Sequence, residues 1–275
     1  MSIAKDLRDR IHQHTRAWRL EIEESFETET SVISYVNRDG QNLVLKVIKQ
    51  PGDEWNAGAV LEAFNGRGVV RVYEHTGGAM LLERLQPGTS LSQIDNDEET
   101  IAIIAYVMKQ MSPREAPAEC PTVSDWGAGF ARYLASGDRL IARDLIASAQ
   151  TVFADLSASQ SNVGLLHGDL HHYNFLADEK RGWVAIDPKG VVGELEYEVG
   201  AVLRNPFERP ELFLWPPVIE RRLKQFVTIL NLDYERTVAW AFAQAVLSAI
   251  WQVEDGHETS RHIQLAEALQ PLVKR

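Results

Sequence analysis

The sequence predicts an α+β protein of two unequal lobes, a smaller strand-rich part over residues 1–86 and a larger, mainly helical part over residues 87–275. Three observations predict it. Between Glu21 and Leu85 the chain consists of short β-branched and apolar runs separated by hairpin turn signals, with one helical stretch among them. From Leu91 onward apolar residues recur at helical spacing. One segment, residues 165–189 (LLHGDLHHYNFLADEKRGWVAIDPK), interrupts the helical part with two short strands and a cluster of polar side chains.

The elements follow in order. Residues 2–20 read as an amphipathic helix, with Ile3, Leu7 and Ile11, joined by Trp18, on one side among charges. Residues 28–36 are rich in β-branched side chains. The turn Asn37-Arg38-Asp39-Gly40 is of the hairpin kind and leads into the strand 42–48 (NLVLKVI), which carries Lys46 in its middle. A helix over 53–64 ends at the C-cap signal of Gly66 and Gly68. Strands at 69–74 and 79–85 flank Thr76-Gly77-Gly78, and Pro87-Gly88 breaks the second. Residues 98–111 place Ile101, Ile104, Ala105 and Met108 on one helical face; a proline-containing linker, 112–121, follows. Helices are expected over 124–136, opened by a Ser/Asp cap, and over 138–158. Strands at 174–177 and 182–186 meet through Asp178-Glu179-Lys180-Arg181. Three helices close the chain, over 217–230, 234–254 and 258–272, the middle one apolar nearly all round and therefore buried.

Composition bounds the function. A chain of 275 residues can bury a substantial core, and 45% hydrophobic with 24% charged residues is ordinary for a globular protein. The one cysteine, Cys120, rules out an intramolecular disulfide and fits a cytoplasmic protein. No run reaches the 18 apolar residues of a membrane span, and residues 1–19 are too charged for a signal peptide. The net charge, 28 − 39 = −11, argues against a nucleic-acid partner, which would need lysine and arginine. It suits a cationic small molecule, although acidic surfaces also serve solubility alone. Composition carries no signal of oligomeric state.

Within residues 165–189, His167, Asp169 and Asn174 stand as H-x-D-x-x-x-x-N. With 8 His, 15 Asp and 9 Asn in the chain, random placement produces that pattern about 0.014 times per chain. Singly, each residue has an ordinary reading: a core histidine, a turn aspartate, a loop amide. Together they suit phosphoryl transfer, which needs an oriented nucleophile, a divalent metal and a cation on the phosphates. Asp169 can orient a hydroxyl and act as base. Asn174 offers a hard amide oxygen to Mg2+, and Asp187 ends the next strand with a second carboxylate suited to metal between phosphates. Lys46, on the third strand of the small lobe, would reach the α/β-phosphates, where a charged residue in an apolar strand otherwise faces solvent. His171 and His172 fit no zinc spacing, and no cysteine is near them.

This segment resembles the aminoglycoside phosphotransferase family of small-molecule kinases, whose loop reads HGDLHxxN and whose metal aspartate sits in an I-D segment. HGDLHHYN followed by AIDPKGVVGE and LRNP is similar to the streptomycin 6-kinase/hydroxyurea-resistance branch. The similarity runs over roughly residues 44–256 and is dense in 165–206 and 238–256. It implies a protein-kinase-like bilobed fold with a hinge over 83–87, where the backbone from Glu83 to Leu85 holds adenine. It implies ATP (or GTP) as co-substrate with Mg2+ on Asn174 and Asp187. The lysine's glutamate partner would fall near Ala57; Glu54, one turn earlier, is the candidate. Residues 24–34 (ESFETETSVIS) depart from the glycine-rich phosphate loop of protein kinases, so the hydroxyls of Ser25, Thr28, Thr30 and Ser31 are the candidates to stand in for it.

The resemblance also orders the residues beyond Asp187. Glu198 occupies a place where the family usually has aspartate, bracing the catalytic loop, and Arg204 of R-N-P is assigned to structure. Lys189 and Glu194 follow Asp187 where an acceptor would sit, and Glu194 is taken as substrate-binding together with Asp169. Trp251, Glu254 and Asp255 end the helix 234–254. Carboxylates at a helix C-terminus oppose its dipole; either the end is solvated or the pair holds a guanidinium or ammonium against the Trp251 face. The branch implies an aminocyclitol hydroxyl, as in streptomycin, or hydroxyurea as acceptor, and hence antibiotic resistance. A kinase of another small alcohol, or a nucleotide-binding regulatory protein without catalysis, are the alternatives. Against the last stand intact Asp169, Asn174, Asp187 and Lys46.

Overall fold

In the computed structural model, which describes residues 5–111 and 115–274, helix α1 (Lys5–Ala17) lies on a five-stranded antiparallel sheet. Ser2, Ile3 and Ala4 of the expected first helix, and residues 112–114 of the proline linker, lie outside the described residues. The sheet contains β1 (Glu21–Glu27), β2 (Ser31–Arg38), β3 (Gln41–Ile48), β4 (Val72–Thr76) and β5 (Ala79–Glu83), in the order β1-β2-β3-β5-β4. Between β3 and β4 a 3-10 turn, Asp53–Asn56, leads into α2 (Ala57–Phe64). The β2–β3 hairpin closes with Arg38 opposite Gln41. Its two loop residues, Asp39 and Gly40, both have positive φ (53° and 84°). That is the primed turn whose twist matches the strands.

Strand periodicity decides where Lys46 points. Leu43, Leu45 and Val47 are buried with Leu7 and Ile11 of α1 in one apolar cluster. Successive side chains on a strand face opposite sides, so Val44, Lys46 and Ile48 look away from α1, toward the second lobe.

The second lobe opens with β6 (Pro87–Ser90), followed by α3 (Asp97–Met111), α4 (Val123–Ser136) and α5 (Arg143–Ala158). Then come β7 (Gly164–Leu166), β8 (Phe175–Asp178), β9 (Gly182–Ala185) and β10 (Val191–Gly193). Helices α6 (Leu195–Leu203), α7 (Glu211–Leu214), α8 (Pro216–Leu230), α9 (Tyr234–Glu254) and α10 (Ser260–Leu269) complete it. Strands β6, β8 and β9 form one small sheet, and β7 pairs with β10. Helix α9 is buried from Trp240 through Ile250 and is packed by α4, α5, α6, α8 and α10, as its all-round apolar sequence requires. The architecture is the α+β, protein-kinase-like arrangement of an antiparallel sheet lobe and a helical lobe. No helix among the described residues is long and apolar enough to cross a membrane.

Some elements differ from expectation. Helix α4 is capped two residues earlier than a Ser124 cap would place it: the Thr122 hydroxyl accepts from Asp125 N–H (3.1 Å) and the Asp125 carboxylate accepts from Thr122 N–H (2.7 Å). Helix α5 begins at Arg143 rather than 138. Asp138 there accepts from the Tyr133 hydroxyl (2.6 Å) and from Leu140 N–H (2.7 Å), and Ile141 N–H donates back to Tyr133 (2.9 Å). This local closure takes donors a helical turn would need. Strands β6, β7 and β10 have three or four residues each, too few for periodicity to announce them.

Candidate active site

The two lobes meet at an ion cluster centred on Lys46. Its ammonium lies 2.8 Å from Glu54 Oε2 and 2.8 Å from Asp187 Oδ1, with only 4% of the side chain exposed. Burial disfavours the charged amine, but the carboxylates of Asp187 and Glu54 outweigh it and raise its pKa. Glu54 belongs to the 3-10 turn before α2, so the glutamate that meets this lysine precedes the helix proper. Asp187, just past β9, has φ 58°, a left-handed conformation that aspartate tolerates better than most residues. The turn between β1 and β2 hangs beside this cluster. Hydroxyls bridge it: Ser31 N–H donates to Thr28 Oγ1 (3.0 Å), the Thr28 and Ser31 hydroxyls are 2.8 Å apart, and Thr30 Oγ1 lies 3.4 Å from Glu54 Oε1. These hydroxyl contacts reinforce the backbone bond from Thr28 N–H to the Ser31 carbonyl (2.9 Å) that closes the glycine-free turn.

The loop from His167 to Asn174 is held by its own backbone and by Glu198. The buried Glu198 carboxylate accepts from His167 N–H (2.7 Å) and Gly168 N–H (3.0 Å). Burial, opposed by those amides and reinforced by the charge of Asp169, pushes its pKa up to about 7. His167 lies within hydrogen-bond distance of both the Ile186 carbonyl (Nε2, 2.8 Å) and Asp169 N–H (Nδ1, 3.3 Å). Those partners assign the Nε2–H tautomer, and burial keeps the ring neutral with a pKa lowered to about 4. Asn174 donates to the Asp169 carbonyl (2.9 Å), which leaves its amide oxygen for another partner. The Asp169 carboxylate faces His171 (3.6 Å), Lys189 (3.8 Å) and Arg204 (3.7 Å). Burial alone would raise its pKa; His171 first, then Lys189 and Arg204, overcome that and hold it well below the usual carboxylate range.

Two clefts adjoin this centre. One is lined by Phe26, Tyr35, Val44, Leu82, Glu83, Leu85, Leu176 and Ile186, with Lys46 and Asp187 at its end. Glu83 lies on it, but its carboxylate is engaged by Arg71 N–H (2.8 Å) and by the Arg181 guanidinium, so it is no ligand group. The other, of about 610 Å³, has Asp169, His171, Lys189 and Arg204 at its floor. Its walls carry Asp53, Asp125, Trp126, Arg132, Trp251, Glu254 and Asp255. Trp126 and Trp251 meet edge to face with centroids 5.6 Å apart, and Arg132 lies 3.3 Å from Glu254.

Glu194 requires a correction. It is 1% exposed, binds the Arg236 guanidinium and the Trp240 indole N–H, and accepts from Ser161 N–H (3.2 Å). It is a structural anchor behind the loop and does not line the second cleft. Arg204 moves the other way, from an expected purely structural place to the cleft floor, where it also donates to Gln244 Oε1 (2.9 Å). Asp53, Asp125, Trp126 and Arg132 carried no motif and entered the cleft through folding alone. For Asp125 the only sequence signal was its capping position.

Magnesium ordinarily takes few protein ligands and completes its shell with water and phosphate oxygens. The Asn174 amide oxygen and the second Asp187 carboxylate oxygen are donors of that kind. Among the described residues no three His, Cys, Asp or Glu side chains gather as a metal site of their own.

Comparison with known proteins agrees with this geometry. Residues 17–256 match the family described as aminoglycoside/hydroxyurea antibiotic resistance kinase. A streptomycin 3''-kinase of Klebsiella pneumoniae is 33% identical over 250 residues, covering 87% of this chain and 91% of that protein. A hydroxyurea phosphotransferase of Kitasatospora aureofaciens is 32% identical over 254 residues, covering 86% and 71%. Among solved structures, aminoglycoside phosphotransferase APH(4)-Ia in a ternary complex with AMP-PNP and hygromycin B superposes with a TM-score of 0.64 at 17% identity, over 92% of this chain and 94% of that one.

Proposed function

The chain belongs to the aminoglycoside/hydroxyurea antibiotic resistance kinase family, and from that premise we propose that it transfers the γ-phosphoryl group of ATP to a hydroxyl of a guanidinium-bearing aminocyclitol of the streptomycin kind. The observation that carries the reading is the polarity of the second cleft: a carboxylate base, Asp169, at the floor and Asp125, Glu254 and Asp255 with two indoles on the walls. Carboxylates and indole faces are what a polycationic acceptor needs. A cleft of about 610 Å³ is also the size of a drug-like ligand site. Hydroxyurea would leave most of it empty, which favours the larger acceptor.

The roles follow from position. The apolar walls of the first cleft, with the hinge backbone from Glu83 to Leu85, take the adenine. Lys46, fixed by Glu54 and Asp187, faces the phosphates. Asn174 and Asp187 would hold Mg2+, which when bound neutralises phosphate charge and orients the γ-group. Asp169 accepts a hydrogen bond from the acceptor hydroxyl, aims its oxygen at the γ-phosphorus, and takes the proton as the new O–P bond forms. Its lowered pKa keeps it ionised, so it acts through placement more than through basicity. His167 and Glu198 hold the loop so that Asp169 does not drift.

The test is ATP consumption with magnesium, with and without streptomycin, and mass spectrometry of the product. An adduct one phosphoryl group heavier is expected, and Asp169→Ala should lose about 10²–10⁴-fold in turnover with nucleotide binding retained. Near-normal turnover in that variant would remove Asp169 from the mechanism. Tight ATP binding without a streptomycin adduct would replace the acceptor while leaving the kinase chemistry in place.

A further inference from the structure

The group in flight needs a cation on its acceptor side, and the segment His167–Asn174 contains no lysine or arginine. Lys46 is committed to Glu54 and Asp187 on the nucleotide side. From the position of Lys189 beside Asp169 we propose that it is a catalytic residue, binding the equatorial oxygens of the phosphoryl group as it passes from ATP to the acceptor. The proposal rests on Asp169 being the base.

Three observations place it there. The first is anchorage. Lys189 N–H and Gly190 N–H both donate to the His167 carbonyl at 3.0 Å, so the Lys189 backbone is pinned to the loop that carries Asp169. Gly190 has φ 79°, and a Cβ there would lie 2.5 Å from Val60, so this turn admits little else. The second is reach: the ammonium lies 3.8 Å from Asp169 Oδ2, close to where the nucleophile must stand. The third is that Lys189 lines two clefts at once. It lies on the floor of the acceptor cleft with Asp169, and it borders the cleft beneath the β1–β2 turn with Thr30, Asp53 and Glu54. A side chain at that junction lies between the turn that carries Glu54, the partner of Lys46, and the acceptor cleft. Arg204, at a similar distance from Asp169, is deeper in the fold and also bonded to Gln244.

The step balances without a further reactant. The acceptor oxygen bonds to the γ-phosphorus while the bond from phosphorus to the β,γ-bridging oxygen breaks. The hydroxyl proton passes to Asp169, and ADP departs with the bridging electron pair. Lys189 keeps its proton throughout. In a loose transition state, charge spreads over the three equatorial oxygens of the transferring group. A cation positioned there stabilises the transition state more than the ground state.

Lys189→Met and Lys189→Arg, assayed with ATP and streptomycin, test this. The methionine variant is expected to lose about 100-fold in kcat, with the ATP dissociation constant and the streptomycin KM within about threefold of wild type, and arginine is expected to restore at least a tenth of the rate. A second readout is independent of the acceptor. Aluminium fluoride, a mimic of the phosphoryl in flight, is expected to tighten ADP binding in wild type and in Lys189→Arg but not in Lys189→Met, while binding of ADP alone stays equal in all three. Unchanged kcat in Lys189→Met, a loss confined to the streptomycin KM, or fluoride tightening retained in that variant would each overturn the assignment. An active Asp169→Ala would instead remove the reading beneath it, and the fluoride measurement tells the two failures apart.

Discussion

Glu194→Ala separates a buried anchor from a substrate ligand. In the folded protein the Glu194 carboxylate receives the Arg236 guanidinium, the Trp240 indole N–H and Ser161 N–H, with its own side chain 1% exposed. Removing it leaves a buried indole N–H without an acceptor, worth about 1–3 kcal/mol. It also removes the counter-charge of Arg236. Loss of one partner of a buried pair costs about 3–5 kcal/mol. Arg236 still has Ser159 Oγ (3.1 Å) and the Leu156 carbonyl (3.0 Å), which places that contribution at the low end. The sum is about 4–6 kcal/mol, or roughly 10–20 °C in apparent melting temperature for a protein of this length. Thermal unfolding gives the first number, and steady-state kinetics at 25 °C the second. The expected outcome is a large loss of stability with the streptomycin KM and kcat within about threefold of wild type. An unchanged melting temperature with a tenfold or greater rise in that KM would refute the reasoning and return Glu194 to the acceptor cleft.

Lys46→Met should lower kcat about 100-fold or more by removing the cation on the phosphates, measured as phosphoryl transfer at saturating ATP; normal turnover would exclude the lysine from the chemistry. Trp251→Ala and Glu254→Gln should each raise the streptomycin KM by about 3–30-fold with kcat little changed, the range expected of a cation–π or exposed charge contact; a fall in kcat alone would contradict a binding role. Glu198 gives a pH prediction. Its carboxyl, ordinarily near 4.5, is raised to about 7 in the fold, so between those values the native state holds a proton that the unfolded state has lost. Its contribution is therefore fully present below about 4.5 and is lost as pH rises through 7, about 3 kcal/mol in all. Urea midpoints from pH 4.5 to 8 for wild type and Glu198→Gln should differ in slope over that window, and parallel curves would show that Glu198 does not titrate there.

What could be read in the sequence was local or periodic. Asp39-Gly40 specified the β2–β3 hairpin because two consecutive positive φ angles leave few residues able to serve. Alternation along Leu43–Ile48 set the face of Lys46, and the fixed spacing of His167, Asp169 and Asn174 kept them on one loop. Glu54 stood close enough in sequence to Lys46 to be singled out, even though it precedes the helix. What could not be read was long-range pairing of charges. Glu194 directly precedes α6 on a motif-rich segment, and only the folded chain brings Arg236 and Trp240, more than forty residues later, onto its carboxylate. Arg204 likewise looked like a helix-end residue until folding set it 3.7 Å from Asp169. The hydroxyls of residues 24–34 read in the sequence as stand-ins for a glycine-rich loop at the phosphates; that Thr28 and Ser31 pair with each other across the β1–β2 turn depends on register.

Strand β1 lies at the margin of its sheet, bonded to β2, and all seven of its residues are exposed. A margin like this invites pairing with another molecule, and proteins usually cover it or shorten it. Here cover would crowd the site, because the turn that β1 feeds borders the first cleft. The strand is guarded by electrostatics in place of cover: Glu21, Glu23, Glu24 and Glu27 alternate with the exposed apolar Ile22 and Phe26. Repulsion between copies weakens as added salt screens those carboxylates. Self-association of the folded kinase is thereby tied to salt through a strand at the margin of the sheet, and high ionic strength would promote it before the fold itself fails.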